Sequence, residues 1–148
     1  MTRTVTLADL TRLTGLDVLD HLERQLAIPV IDGLQAQGDL IVIPLSILTG
    51  VTIPSDARWT QVPAAGVELQ RGAAGGNPRT LAADHGMCRW TTGVVDEQRL
   101  ALGALETAAT AYLIHPEHGG TGIAPGTYVI RRQRERDHQT VRDHLVAD

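Results

Sequence analysis

Lysine and phenylalanine are missing from this chain of 148 residues, cysteine occurs once, and Trp59, Trp90, Tyr112 and Tyr128 are its whole aromatic complement. The lone Cys88 excludes an internal disulfide. None is needed, because a chain of this size buries about two thirds of its unfolded surface on folding. All 13 cationic residues are arginine; set against 17 acidic ones they leave a net charge of −4, so no global field draws the chain to nucleic acid or anionic lipid. The scarcity of aromatics also denies single-stranded bases a stacking platform. The longest apolar run, Leu40–Leu48, is broken by Pro44 and Ser46 and falls far short of the roughly 20 residues a membrane-spanning helix needs. The opening MTRTVTLADL has neither a basic n-region nor an apolar h-region. These absences predict a cytoplasmic protein of one domain that contacts neither membrane nor nucleic acid.

What is present divides the chain at Gln37. Over residues 1–37, Leu7, Leu10 and Leu13, then Leu19, Leu22 and Leu26, recur at helical spacing. Thr6 and Asp17 stand at N-cap positions, and Gly15 lies between the two sets. This predicts a leader of two short helices. As a DNA-binding helix-turn-helix it would be out of register and would present Asp17, Asp20 and Glu23 to phosphates. A docking face made of Leu19, Leu22 and Leu26 fits the pattern better.

From Gly38 to Asp148, short apolar runs alternate with Gly, Pro and Asp turns. The spacing predicts about seven short strands, at 39–44, 67–71, 79–83, 87–91, 100–105, 110–114 and 127–133, with an edge strand near Arg58–Val62. The fold class expected is mainly β, a small β-barrel or β-sandwich preceded by the helical leader. Pro125-Gly126 is turn chemistry leading into the last strand, on which Tyr128 and Ile130 share one face and Val129 takes the other before Arg131 and Arg132 end it.

Four segments could carry chemistry. His115, Glu117 and His118 gather two imidazoles and a carboxylate at the end of a predicted strand, a donor set that suits a divalent metal when further ligands join it. His85 and Cys88 are the raw material of a thiol nucleophile, but Asp84-His85-Gly86 is turn composition and Cys88 alternates with Trp90 as a core residue does. The glycine-rich stretch Arg71–Arg79 lacks the Gly-Lys-Ser/Thr ending of a phosphate loop and reads as a wide hairpin. Arg131, Arg132 and Arg134 form a basic strand end balanced by Glu135 and Asp137, suited to an ion-paired interface.

Taken in order, Gly38-Asp39-Leu40-Ile41-Val42, Arg71–Asn77, His115-Pro116-Glu117-His118 and Pro125-Gly126-Thr127-Tyr128-Val129-Ile130-Arg131-Arg132-Gln133-Arg134-Glu135 resemble a family of small uncharacterised proteins of bacteria and their phages. The resemblance covers residues 38–148 and implies no activity. Where that family carries His-x-His after its glycine loop this chain has Asn77-Pro78-Arg79, and Arg136 stands at the closing tyrosine. A metal site shared with the family would therefore lack two ligands. The sequence reading is a non-catalytic interaction or assembly module, without a cofactor, whose leader docks to a second copy or to a larger protein. The alternative is a cupin-like metal-binding enzyme or small-molecule binder built on His115, Glu117 and His118.

Overall fold

A computed structural model describes residues 28–69, 79–115 and 119–133. The two expected leader helices, with Leu19, Leu22 and Leu26, lie outside the described residues, as do Asn77, Glu117, His118, Arg134 and Arg136. Thirteen strands run through the described residues, with one 3-10 turn at Leu45–Ile47 and no α-helix, hence no helix long and apolar enough to cross a membrane. In chain order they are β1 (Val30–Ile31), β2 (Gln35–Gln37), β3 (Leu40–Pro44), β4 (Val51–Thr52), β5 (Thr60–Gln61), β6 (Val67–Glu68), β7 (Thr80–Ala82), β8 (Cys88–Thr91), β9 (Val95–Asp96), β10 (Ala101–Thr107), β11 (Ala111–His115), β12 (Gly119–Ile123) and β13 (Gly126–Arg132).

The strands build three open sheets, ordered β1-β12-β11-β7-β6, β2-β3-β13-β10-β8-β5 and β4-β9. This corrects the expected fold class. Among the described residues each sheet keeps two edges, so none closes into a barrel, and thirteen strands stand where about seven were expected. The extra strands are mostly two or three residues long and take their pairing from neighbours distant in sequence, which local patterning does not report. Residues 30–37, grouped by composition with the leader, supply β1 and β2.

One apolar cluster joins the two large sheets. Leu81, Ala111, Leu113 and Ile123 from the five-stranded sheet share it with Leu40, Val42, Trp90, Leu105, Tyr128 and Ile130 from the six-stranded sheet. Period-two alternation sends the intervening residues of β10 and β13 outward, where Ala104 and Val129 pack with Val51, Leu48, Ile53 and Trp59 of the long connection and its β4-β9 pair. The six-stranded sheet is therefore covered on both faces.

A register shift between Ala101 and Gly103 lets β10 change which parity faces the core. Leu102 and Leu105 both meet the inter-sheet cluster although three residues apart, while Ala101 and Ala104 meet the outer one. Gly103 makes the shift possible by close approach. A Cβ built there would stand 2.4 Å from Thr91 O and 2.4 Å from the Trp90 ring.

Candidate functional site

The inter-sheet core ends in a polar row. Across β7, β11 and β12, Leu81 pairs with Leu113 and Leu113 with Thr121. Two residues further along, His115 pairs with Gly119, and continuing the register of Ile114 with Thr80 sets Arg79 beside His115. Alternation puts Arg79 and His115 on the inward face with Leu81 and Leu113, and both are buried.

The other sheet answers with polar groups from the β2–β3 hairpin. Gln37 Nε2 donates to Leu113 O at 3.0 Å and to Thr121 Oγ1 at 3.3 Å, and Gln35 Nε2 donates to Gly122 O at 3.1 Å. Asp39, in the two-residue turn, accepts from Arg79 Nη1 at 2.9 Å. Gly38 gives that turn the positive φ, 58°, that a two-residue hairpin needs. Gln133 then fixes the end of β13 to the same turn, its backbone N–H donating to Asp39 O at 2.8 Å and its Nε2 to Leu40 O at 2.9 Å.

Topology makes this end a junction. Leu69 and Arg79 flank residues 70–78, His115 and Gly119 flank residues 116–118, and Gln133 precedes residues 134–148. β1 runs parallel to β12, with Val30 opposite Gly122, so stepping back along β1 toward Ile28 leads to the same end. The described residues that adjoin 1–27, 70–78, 116–118 and 134–148 are all at this end.

Residues 36–133 match the family model described as a domain of unknown function, DUF8820. The chain belongs to that family. The DUF8820 match begins within β2 and ends on Gln133, so it takes in Gln37, Asp39, Arg79 and His115 and every strand of the two large sheets except β1 and the first residue of β2. No curated protein and no solved structure matches the chain.

Of the expected site residues within the DUF8820 region, the structure describes His115, Arg131 and Arg132. His115 is in the polar row, while Glu117 and His118 lie outside the described residues. Among the described residues no three His, Cys, Asp or Glu side chains gather to hold a metal. Arg79, at the second histidine position of the resembled pattern, brings a fixed positive charge next to His115 instead. Arg131 is not on the surface. Its Nε and Nη2 donate to Asp96 at 3.1 and 2.9 Å, and the two side chains are 6% and 3% exposed. Arg132 is exposed.

The thiol reading is answered by burial. Burial pushes the Cys88 thiol up to about 11, against a smaller opposing effect of its hydrogen bond with Thr107, so the sulfur is a neutral core atom at physiological pH. His85 is exposed in the turn before β8. Two open cavities lie at the opposite end of the body. One of about 330 Å³ is lined by Gln61, Met87, Cys88, Arg89, Glu106 and Thr107, and the other, of about 440 Å³, by Asp32, Pro44, Ser46, Pro125, Thr127 and Tyr128. Arg89 stands 4.2 Å over the Trp59 ring and pairs with Glu106 at 3.0 Å, so the charged groups beside the first cavity are mutually engaged.

Gln37, Asp39 and Asp96 carry no local sequence signal of a site, and Arg79 reads only as the end of the glycine-rich stretch and the start of the strand at 79–83. A polar residue inside an otherwise apolar alternation was the available signal, and Arg79 before Thr80-Leu81-Ala82 carried it.

Proposed function

We propose that this chain is a non-catalytic interaction and assembly module of the bacterial and phage cytoplasm, in which the N-terminal leader docks to a second copy or to a larger protein. The position of Ile28, Leu69, Arg79, His115, Gly119 and Gln133 at one end of a braced two-sheet body supports this reading, because residues 1–27 and 134–148 are attached at that end. Leu19, Leu22 and Leu26 supply an apolar stripe for the contact, and Arg132 and Arg134 supply charge at its rim. Arg131 is left out of the surface because Asp96 holds it inside.

Light scattering of the full chain, compared with the Leu19→Asp/Leu22→Asp variant, tests it. The expected result is an oligomer, or a complex with a defined partner, that the double substitution disperses without changing the melting temperature. Monomers in both proteins, with no partner recovered by cross-linking, would sink the proposal.

The inward placement of His115 favours a second reading, a divalent metal held with Glu117 and His118. The permanent charge of Arg79, carried into the same row from the neighbouring strand, opposes it, since a guanidinium repels a divalent cation. Elemental analysis of the native protein against His115→Ala/His118→Ala separates the two readings. Stoichiometric metal in the first and none in the second would favour the metal.

A further inference from the structure

We infer that the polar row is a recognition site for a small oxyanion, a carboxylate or phosphate group, received on the Nε edge of the Arg79 guanidinium. The Arg79 side chain is 9% exposed, so its permanent charge is held largely out of water. Its counterion is weak, because Asp39 takes only the Nη1 corner and is itself 60% exposed, with much of its charge spent on solvent. Arg79 Nε–H is buried and finds no acceptor among the described residues. A buried donor on a charged group that lacks an acceptor is costly, and a guanidinium is shaped to offer that edge to two oxygens of one anion.

The surroundings suit an anion. Gly119, opposite His115, puts no side chain into the row. Gln37 Oε1 is also buried without a donor, so a ligand oxygen carrying a proton, as in monohydrogen phosphate, would answer an unmatched acceptor on the facing hairpin. The site is built from the two sheets themselves and is independent of the docking proposed above, so the Leu19→Asp/Leu22→Asp variant should retain it.

The Arg79 Nε–Hε resonance of the full-length protein reads the site directly. Inorganic phosphate and acetate are titrated separately at constant ionic strength, with chloride as the control. A saturable shift with slowed Hε exchange is expected, phosphate alone or acetate alone telling which group is recognised. Arg79→Lys, which keeps the charge and loses the fork, should weaken binding about tenfold as seen from neighbouring amides. Asp39→Asn, which removes a competing carboxylate and alters an exposed side chain, should tighten it. The inference is overturned by the absence of a saturable shift with both anions, by an equal shift with chloride, or by unchanged affinity in Asp39→Asn.

Discussion

Asp96 concentrates more of the architecture on one side chain than any other described carboxylate. It sits on β9 and accepts from the backbone N–H groups of Gln98, Leu100 and Ala101 at 3.0, 3.0 and 2.8 Å, while taking both guanidinium bonds from Arg131 on β13. This rivets the β4-β9 pair to the centre of the six-stranded sheet. Asp96→Asn keeps the shape but leaves the Arg131 guanidinium buried without a counterion and turns an amide N–H toward donors. Losing one partner of a buried pair costs about 3–5 kcal/mol, a large share of the roughly 5–15 kcal/mol that holds a domain folded. Urea unfolding of the full chain should show that loss. Adding Arg131→Met should then restore about 2 kcal/mol or more, because the stranded charge is gone. A single substitution costing under about 1 kcal/mol, or a double variant as unstable as the two losses summed, would refute the reasoning. The pH dependence has a definite sign. Burial alone would raise the Asp96 carboxyl, but the hydrogen bonds from Arg131, Gln98 and Leu100 outweigh it and hold the group below its ordinary value of 3.8. The contribution is therefore complete above that value and lost as the pH falls toward the lowered one, and Asp96→Asn should flatten this acid limb.

Gly103→Ala should destabilise by about 3 kcal/mol or more, since the new methyl meets the Thr91 carbonyl and the Trp90 ring, and the carbonyl belongs to backbone that cannot swing aside; calorimetry would show it, and a neutral effect would place the β10 bulge elsewhere. Cys88 should resist iodoacetamide at pH 8 in the folded protein and react once urea unfolds it. Its raised value implies stability present below the ordinary 9.0 and lost as the pH rises toward about 11, so Cys88→Ala should remove part of the alkaline decline, the remainder belonging in part to Tyr128, which burial and then Asp32 also raise.

Legibility in the sequence followed the pattern that each segment carries. Leu40–Pro44 and Gly126–Arg132 announce themselves by β-branched residues ended by Pro or entered through Pro-Gly, and they form two neighbouring strands of the six-stranded sheet. β12 hid, because Gly119-Gly120-Thr121-Gly122-Ile123 has almost no strand propensity. Its glycines serve a contact no local rule can foresee, since a Cβ at Gly122 would come within 2.8 Å of the Val30 side chain on β1. The candidate site divides the same way. His115 was visible as a histidine at a strand end, whereas Arg79 gained meaning only when β7 was laid beside β11.

Composition and periodicity suffice to say that these residues make short strands with two-faced burial, because alternation and turn chemistry are local properties written within a few positions. Closure or openness of the sheets, the inward turn of Arg131 onto Asp96, and the meeting of Gln37, Asp39, Arg79 and His115 depend on pairings between residues 35 to 93 positions apart. Such pairings are set by which surfaces bury best together, and a linear pattern holds no record of that competition.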